Sequence, residues 1–515
     1  MKKILLSLAA FAVVLATSAQ SIIPNGWYAS FEPVSESAEL KGVHTATAAD
    51  GSVYVSGTYN KAFTFAGTEV ADPEGLTSAS IVKYDGNGQE QWAVTLMGSA
   101  VVNALDADAD GTLYAAGSFM DAVIYTGADG TAAEICSEGV YSFFLAKISK
   151  DGKFEAIKSI TPTVNEEIAA KVGDPWGMGF DSPLYSMWDP IYITPNKVQV
   201  DGNNVYVSAK YMGDVAELGW KGSYIDQWGM MYMDNYSMGV FSLDKEGLDN
   251  AKNVANVQMT GVVSDAQYYP EAMTFAAENG TVYVGFIGFK NLTLTTPTTT
   301  ENFTFAAAED GSTMEHAFVL ATIGEETTTK VFNTAQHDKL AKPYNLFMNI
   351  AGDNVIIGGT FYGQLPFNAA KNTGELASDI FVASVAKATG AVNWTFVGGQ
   401  EAEATCMTGN EEKVIISSTD NSIRILDVTN GEVQKTDNGT LADADAYAGQ
   451  SLSAVYTAET IVHVWGKSNG TENSIEEVTT PAVKTDGIIY NISGQIVDKN
   501  YKGIVIKNGK KYLVK

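Results

Sequence analysis

The sequence predicts an all-β chain built as a β-propeller of four-stranded blades. Three observations predict it: one hairpin pattern recurs along the chain, a second hairpin follows most copies, and the composition is poor in charge and rich in glycine. Over 515 residues, charged side chains make up only 18% while glycine reaches 49, a mixture that suits short strands joined by tight turns. A hydrophobic fraction of 45% supports a packed core and excludes a disordered chain.

The first hairpin has a small or polar strand, a Gly/Asn/Asp turn, and a β-branched strand. Its copies run Ala46–Gly57, Asp106–Gly117, Val200–Val207 and Glu278–Gly285, then more weakly Gly352–Ile357, Asn410–Ile416 and Ala458–Val464. Glycine and asparagine supply the positive φ of a short turn, and the Val/Tyr alternation beside it buries one face. The second hairpin appears at Ser80–Val94, Phe144–Phe154, Phe381–Trp394 and Ile423–Val433. Two hairpins make one four-stranded antiparallel blade, and radial packing buries both faces of many such sheets. Seven copies predict seven blades, with six or eight as the alternatives. Anchors at Tyr54, Tyr114, Tyr206, Tyr283, Ile356, Ile415 and Val462 lie 60, 92, 77, 73, 59 and 47 residues apart. A simple blade takes ~40–50 residues, so several carry insertions. Trp27–Phe31 precedes the first copy much as Trp92–Leu96 precedes the second, so the N-terminal strand is expected to complete the last blade; an ordinary edge strand is the alternative.

The strings DGSVYVSGT and SIVKYDGNGQEQWAV resemble the bacterial β-propeller repeat family, well in the first two copies and less in later ones. That resemblance implies a scaffold and no single activity.

The two ends of the chain concern its address. Met1-Lys2-Lys3 followed by the apolar run Ile4–Ala16 reads as a signal peptide over residues 1–19, too short to span a bilayer. The propeller is expected over 20–470, a linker over 471–486 and a small β segment over 487–515. From Lys484 onward seven lysines stand against Asp486 and Asp498, a change of sign from the acidic body. The pieces SIEEV, YNISGQIV and KGIVIKNGKKYLVK resemble the C-terminal sorting domains of type IX secretion cargo in Bacteroidota. This implies passage to the outer-membrane surface or the medium, with secretion machinery as a partner. A periplasmic protein is the expectation if the tail is not a sorting signal, and a small β cap is the bland alternative.

Chemistry is sparse. A net charge of −28 excludes nucleic acid as a natural partner, and no segment is apolar for long enough to make a transmembrane helix. No nucleophile elbow, phosphate loop or zinc pattern stands in context, so no catalytic residue and no cofactor is predicted. Cys136 and Cys406 read as buried thiols, their pairing open. Asp106, Asp108 and Asp110 resemble the start of a calcium loop, but Gly117 stands where the bidentate carboxylate belongs. A hairpin turn is therefore the preferred reading, with adventitious calcium left open. An aromatic-rich insertion spans 174–236 and holds four of the eight tryptophans. Trp176, Tyr185, Trp188, Trp220, Tyr224 and Trp228 are its candidates for stacking on a glycan or protein ligand. The competing reading makes them the insertion's own small core. The function expected is a secreted or surface-exposed, non-catalytic binding propeller. Its alternatives are a propeller-fold polysaccharide hydrolase or lyase, and a structural surface component.

Overall fold

A computed structural model describes residues 26–33, 40–73, 77–137, 140–163, 191–222, 224–227, 230–233, 237–259, 273–288, 291–306, 313–333, 337–338, 343–373, 377–398, 401–447, 451–458, 461–467, 489–491, 496–497, 503–507 and 510–514. The signal-peptide and linker readings, and Trp176, Tyr185, Trp188 and Trp228, lie outside these residues. The chain divides into two compact units, Met1–Ser468 and Asn469–Lys515.

In the larger unit the strands fall into antiparallel quartets. The first holds Thr45–Thr47, Val53–Tyr59, Ser78–Tyr84 and the start of Glu90–Ala107. The second holds the rest of Glu90–Ala107 with Leu113–Thr126, Ser142–Ile148 and Phe154–Ile160. Glu90–Leu96 pairs with Ser78–Tyr84 whereas Met97–Ala107 pairs with Leu113–Thr126, so one long strand serves both quartets. The third is Tyr192–Asp201, Asn204–Met212, Ser237–Asp244 and Lys252–Met259; the fourth is Met273–Glu278, Thr281–Gly288, Ala317–Ile323 and Thr327–Asn333. The fifth is Pro343–Ala351, Asn354–Tyr362, Ser378–Ala386 and Val392–Val397; the sixth is Ala404–Gly409, Lys413–Ser418, Ser422–Asp427 and Val433–Asn438.

The seventh quartet takes Asp443–Tyr447, Ser451–Ala458 and Ile461–Lys467 from the end of the chain and its fourth strand, Trp27–Phe31, from the beginning. The expected closure is therefore present. The copy anchored at Val462 is shifted, however. In the other six the hairpin turn joins the first and second strands, whereas here it joins the second and third. The seventh quartet needs only three strands from its own stretch of chain, so its first strand begins at Asp443.

The first strand of each quartet packs against the first strand of the next, and Asp443–Tyr447 packs against Thr45–Thr47. The ring closes on itself, and the fold is a β-propeller. Burial follows from this stacking. All seven residues of Val53–Tyr59 and of Ser78–Tyr84 are buried, on both faces rather than the one face that alternation predicts. The outermost strand Val433–Asn438 is nearly all exposed.

Neighbouring quartets are stapled at their turns. Gly88, Gly152 and Gly431 have φ of 79°, 79° and 73°. A Cβ there would lie 2.6, 2.7 and 2.4 Å from the rings of Trp27, Trp92 and Trp394, each from the preceding quartet. Glycine is required by both the backbone and the ring above it. The Trp92 and Trp394 indoles donate to the carbonyls of Lys150 (2.9 Å) and Val428 (3.0 Å) across the same junctions. The hydroxyl of Tyr54 donates to Gly111 O at 2.7 Å, joining the first quartet to the second.

Antiparallel order puts the links between first and second strands, and between third and fourth, at one end of the ring. That end is tight: 48–52, 108–112, 202–203, 279–280, 352–353 and 410–412, with 85–89, 149–153, 245–251, 324–326, 387–391 and 428–432. The strands joined by the longer connections 60–77, 127–141, 213–236, 289–316 and 363–377 within quartets, and by 161–191 and 260–272 between them, end and begin at the other end. The smaller unit is one antiparallel sheet in which Ile489–Asn491 lies between Ile496–Val497 and Gly503–Lys507, with Lys510–Val514 outermost.

Candidate functional site

Innermost strands meet no backbone ladder from the next quartet, so their outward N–H groups need other partners. Side chains at alternate positions supply them. Asp106 Oδ2 accepts from Val200 N at 2.6 Å. Gln199 exchanges two hydrogen bonds with Ala277, donating to its O at 2.8 Å and accepting from its N at 3.0 Å. Asp201 accepts from Asn279 N at 3.0 Å and Gly280 N at 2.6 Å. At the closing seam Asp443 accepts from Thr45 N at 3.1 Å and Asp445 from Thr47 N at 2.8 Å. The Thr45 and Thr47 hydroxyls both reach Ser453 Oγ, at 2.8 and 2.7 Å. Every one of these contacts crosses from one quartet to its neighbour.

Four charged side chains, Lys197 with Asp106, Asp443 and Asp445, come near one another on the innermost strands. Lys197 Nζ donates to Phe275 O at 2.8 Å and Met348 O at 2.6 Å, bridging the third quartet to the fourth and fifth. Lys197, Asp106 and Asp445 are each half-buried on innermost strands. Burial, followed by the nearby Asp445 charge, pushes the Asp106 carboxyl up to about 7. Its own bonds from Val200 N and Ala107 N, and the charge of Lys197, act the other way. Burial and the neighbouring Asp443 raise Asp445 to about 6, against the bond from Thr47 N. Burial lowers Lys197 to about 8, and the three aspartates oppose that shift. His44 Nδ1 lies 3.4 Å from Asp443 at the seam. Groups titrating this close to neutrality can exchange protons, but each carboxylate already accepts from backbone N–H groups.

The predicted aspartate run does not converge. Asp106 faces the axis, Asp108 pairs with Lys245 at 2.6 Å, and Asp110 accepts from Thr112 N at 2.9 Å within its own turn. The reason is the hairpin: residue 106 is still in the strand, while 108 and 110 bracket the turn. No group of three or more potential metal ligands occurs among the described residues.

Of the aromatic candidates, Trp220 belongs to the core. It is 2% exposed, stacks on Tyr211 with ring centroids 4.9 Å apart, meets Phe241 edge-on, and donates to Asn253 Oδ1 at 2.7 Å. An indole with its face covered and its N–H satisfied offers nothing to a ligand. Tyr224 lies on a two-stranded hairpin, Tyr224–Gln227 with Met230–Met233. Cys136 and Cys406 are both free, the first exposed and the second buried.

Lys197, Gln199, Asp201, Asp443 and Asp445 escaped sequence reasoning. Their signal is the strict alternation in Lys197-Val198-Gln199-Val200-Asp201 and Asp443-Ala444-Asp445-Ala446, a polar side chain at every second position of an innermost strand.

No family model matches the sequence, and no curated protein matches it. Among solved structures the chain is similar to BamB from Moraxella catarrhalis, at 12% identity over 85% of this chain and 98% of that one, with a TM-score of 0.36. It is similar also to the WD40 β-propeller domain of Doa1, at 10% identity over 87% and 98%, TM-score 0.36. The computationally designed Ika8 protein aligns at 10% identity over 84% and 99%, TM-score 0.35.

Proposed function

We propose that this chain is a non-catalytic interaction scaffold, a seven-bladed ring whose insertion-bearing end is the recognition surface. The observation that supports this reading is the division of labour around the ring. The axial carboxylates are engaged in latching one quartet to the next, and the long connections emerge together at one end. Loops on a rigid frame are where recognition is usually carried. The ligand class we favour is an extracellular glycan or protein. The signal peptide and the basic tail support export to the cell surface or medium, with residues 487–515 engaging a sorting apparatus.

The test is a glycan and peptide array probed with the mature full-length chain. Saturable binding that survives Asp106→Asn but is lost on trimming the 213–236 connection supports the scaffold reading. Failure to bind any array member argues against it.

Catalysis is the second reading, and Asp106 and Asp445 at about 7 and 6, with the Asp445 charge acting on Asp106, are the observation that favours it. Polysaccharide turnover abolished in both Asp106→Asn and Asp445→Asn, at unchanged melting temperature, would establish a hydrolase or lyase. Lowered melting temperature with no turnover in any variant or in the parent assigns these residues to the latch.

A further inference from the structure

A cleft of about 300 Å³ opens at the insertion-bearing end of the fifth quartet, lined by Ala370, Lys371, Thr373, Ala377, Ser378, Asp379, Val397 and Glu401. Asp379 stands at the start of the third strand and is only 6% exposed. Its Oδ1 accepts from Ile380 N at 2.8 Å; among the described residues its Oδ2 takes no hydrogen bond and the side chain makes no ion pair. The nearby Arg424 is engaged elsewhere, donating to Asp420 Oδ2 at 2.8 Å and Ser418 Oγ at 2.9 Å. Glu401, an exposed residue on the lining, adds a second carboxylate, and its backbone N donates to Ser378 O at 2.8 Å.

A carboxylate so enclosed, with Arg424 committed to Asp420 and Lys371 on an exposed wall, is costly unless a partner brings a cation into contact. Burial is the largest influence on Asp379 and raises its carboxyl above the usual range, with Asp420 adding to the rise; Ile380 N, Arg424 and Lys371 offset only part of it. Apart from Lys371 the rest of the lining is aliphatic or hydroxylic: the methyl groups of Ala370, Ala377 and Val397 can receive a short hydrocarbon stem, and Ser378 offers a further acceptor.

We propose that this cleft binds a protonated primary amine carried on a short aliphatic stem, the chemistry of a lysine side chain, with the ammonium seated on Asp379 and Glu401. Lys371 sits on the exposed wall as the opposing charge and tunes the site downward. The inference is argued from the cleft's own residues, and its failure leaves the array test of the recognition surface intact.

The experiment titrates the mature full-length chain with Nα-acetyl-lysine amide and, as the uncharged isostere, Nα-acetyl-norleucine amide, followed by calorimetry and ligand-observed NMR. The lysine derivative is expected to bind saturably and the norleucine derivative not. Asp379→Asn should weaken binding by roughly tenfold or more, as loss of a charge-assisted hydrogen bond does. Glu401→Gln should weaken it by a smaller factor, and Lys371→Ala should strengthen it. If Asp379→Asn fails to fold, as judged by near-ultraviolet circular dichroism, the Glu401 and Lys371 variants decide the matter. No binding by the parent chain, equal binding of the norleucine derivative, unchanged affinity in both carboxylate variants, or weaker binding by Lys371→Ala would each overturn the proposal.

Discussion

The two ends of the ring are made from the same strands and differ in almost everything else. At the tight end, connections of a few residues place glycine under tryptophan at three junctions, and the Tyr54 hydroxyl on a carbonyl across one of them. At the other end the connections differ in length from quartet to quartet, carry added hairpins such as Phe63–Phe65 with Thr68–Val70, and frame the Asp379 cleft. The contrast teaches that the tight end defines the frame, where a small change is felt by two quartets. The long end is free to vary because its backbone need satisfy only itself.

The largest expected effect breaks that simple division. Trp220 arises from a long connection yet is packed as core, so Trp220→Ala should destabilise by about 4 kcal/mol in chemical unfolding, with no selective loss of any binding. A small effect on stability would return Trp220 to the recognition surface. Next comes the tight end itself. Gly152→Ala places a Cβ 2.7 Å from the Trp92 ring at a φ of 79°. It should cost about 3 kcal/mol, combining a left-handed backbone and overpacking. Gly202→Ala, at a turn with nothing within 4 Å of the added atom, should cost less. Equal costs at the two glycines would remove the staple from the account.

The latch comes third. Asp445→Ala leaves the buried Thr47 N–H without its acceptor, so a loss of about 2 kcal/mol is expected. The smallest effect is a change of slope with pH. The Asp106 carboxyl is raised from 3.8 to about 7 in the fold. The folded state therefore binds a proton that the unfolded chain releases between these values, and the stability it contributes at low pH is lost as pH rises through about 7. Lys197, lowered from 10.5 to about 8, acts in the opposite sense over that higher window, where stability is regained as pH rises. Comparing parent and Asp106→Asn from pH 4 to 8, the difference in melting temperature should move steadily in favour of the variant. A constant difference would place Asp106 outside the linkage.

The hairpins, their pairing into four-stranded units and the N-terminal closing strand were legible in the sequence, because each rests on local rules: glycine and asparagine at turns, and β-branched runs between them. Trp27 announced the closure by its likeness to Trp92, and the structure places both indoles over the glycine of the next quartet. Local pattern alone does not separate neighbouring carboxylates. Asp106, Asp108 and Asp110 look alike in the chain, but a strand ending between them sends one to the axis and the others to the turn. The seventh hairpin looked like the other six and proved one strand out of step, joining the second and third strands of its quartet.

What the sequence by itself determined is the alphabet: strands, turns, acidic charge and the polar alternation of the innermost strands. Tertiary structure alone decided which alternate side chains meet. The latch partners lie between 78 and 408 residues apart, and no local rule reaches that far. Whether Asp379 is an exposed acid or an enclosed one with an open oxygen depends on two connections, 363–377 and 398–403, meeting at one end of the ring. Burial and charge pairing are properties of that convergence, set only when the ring closes.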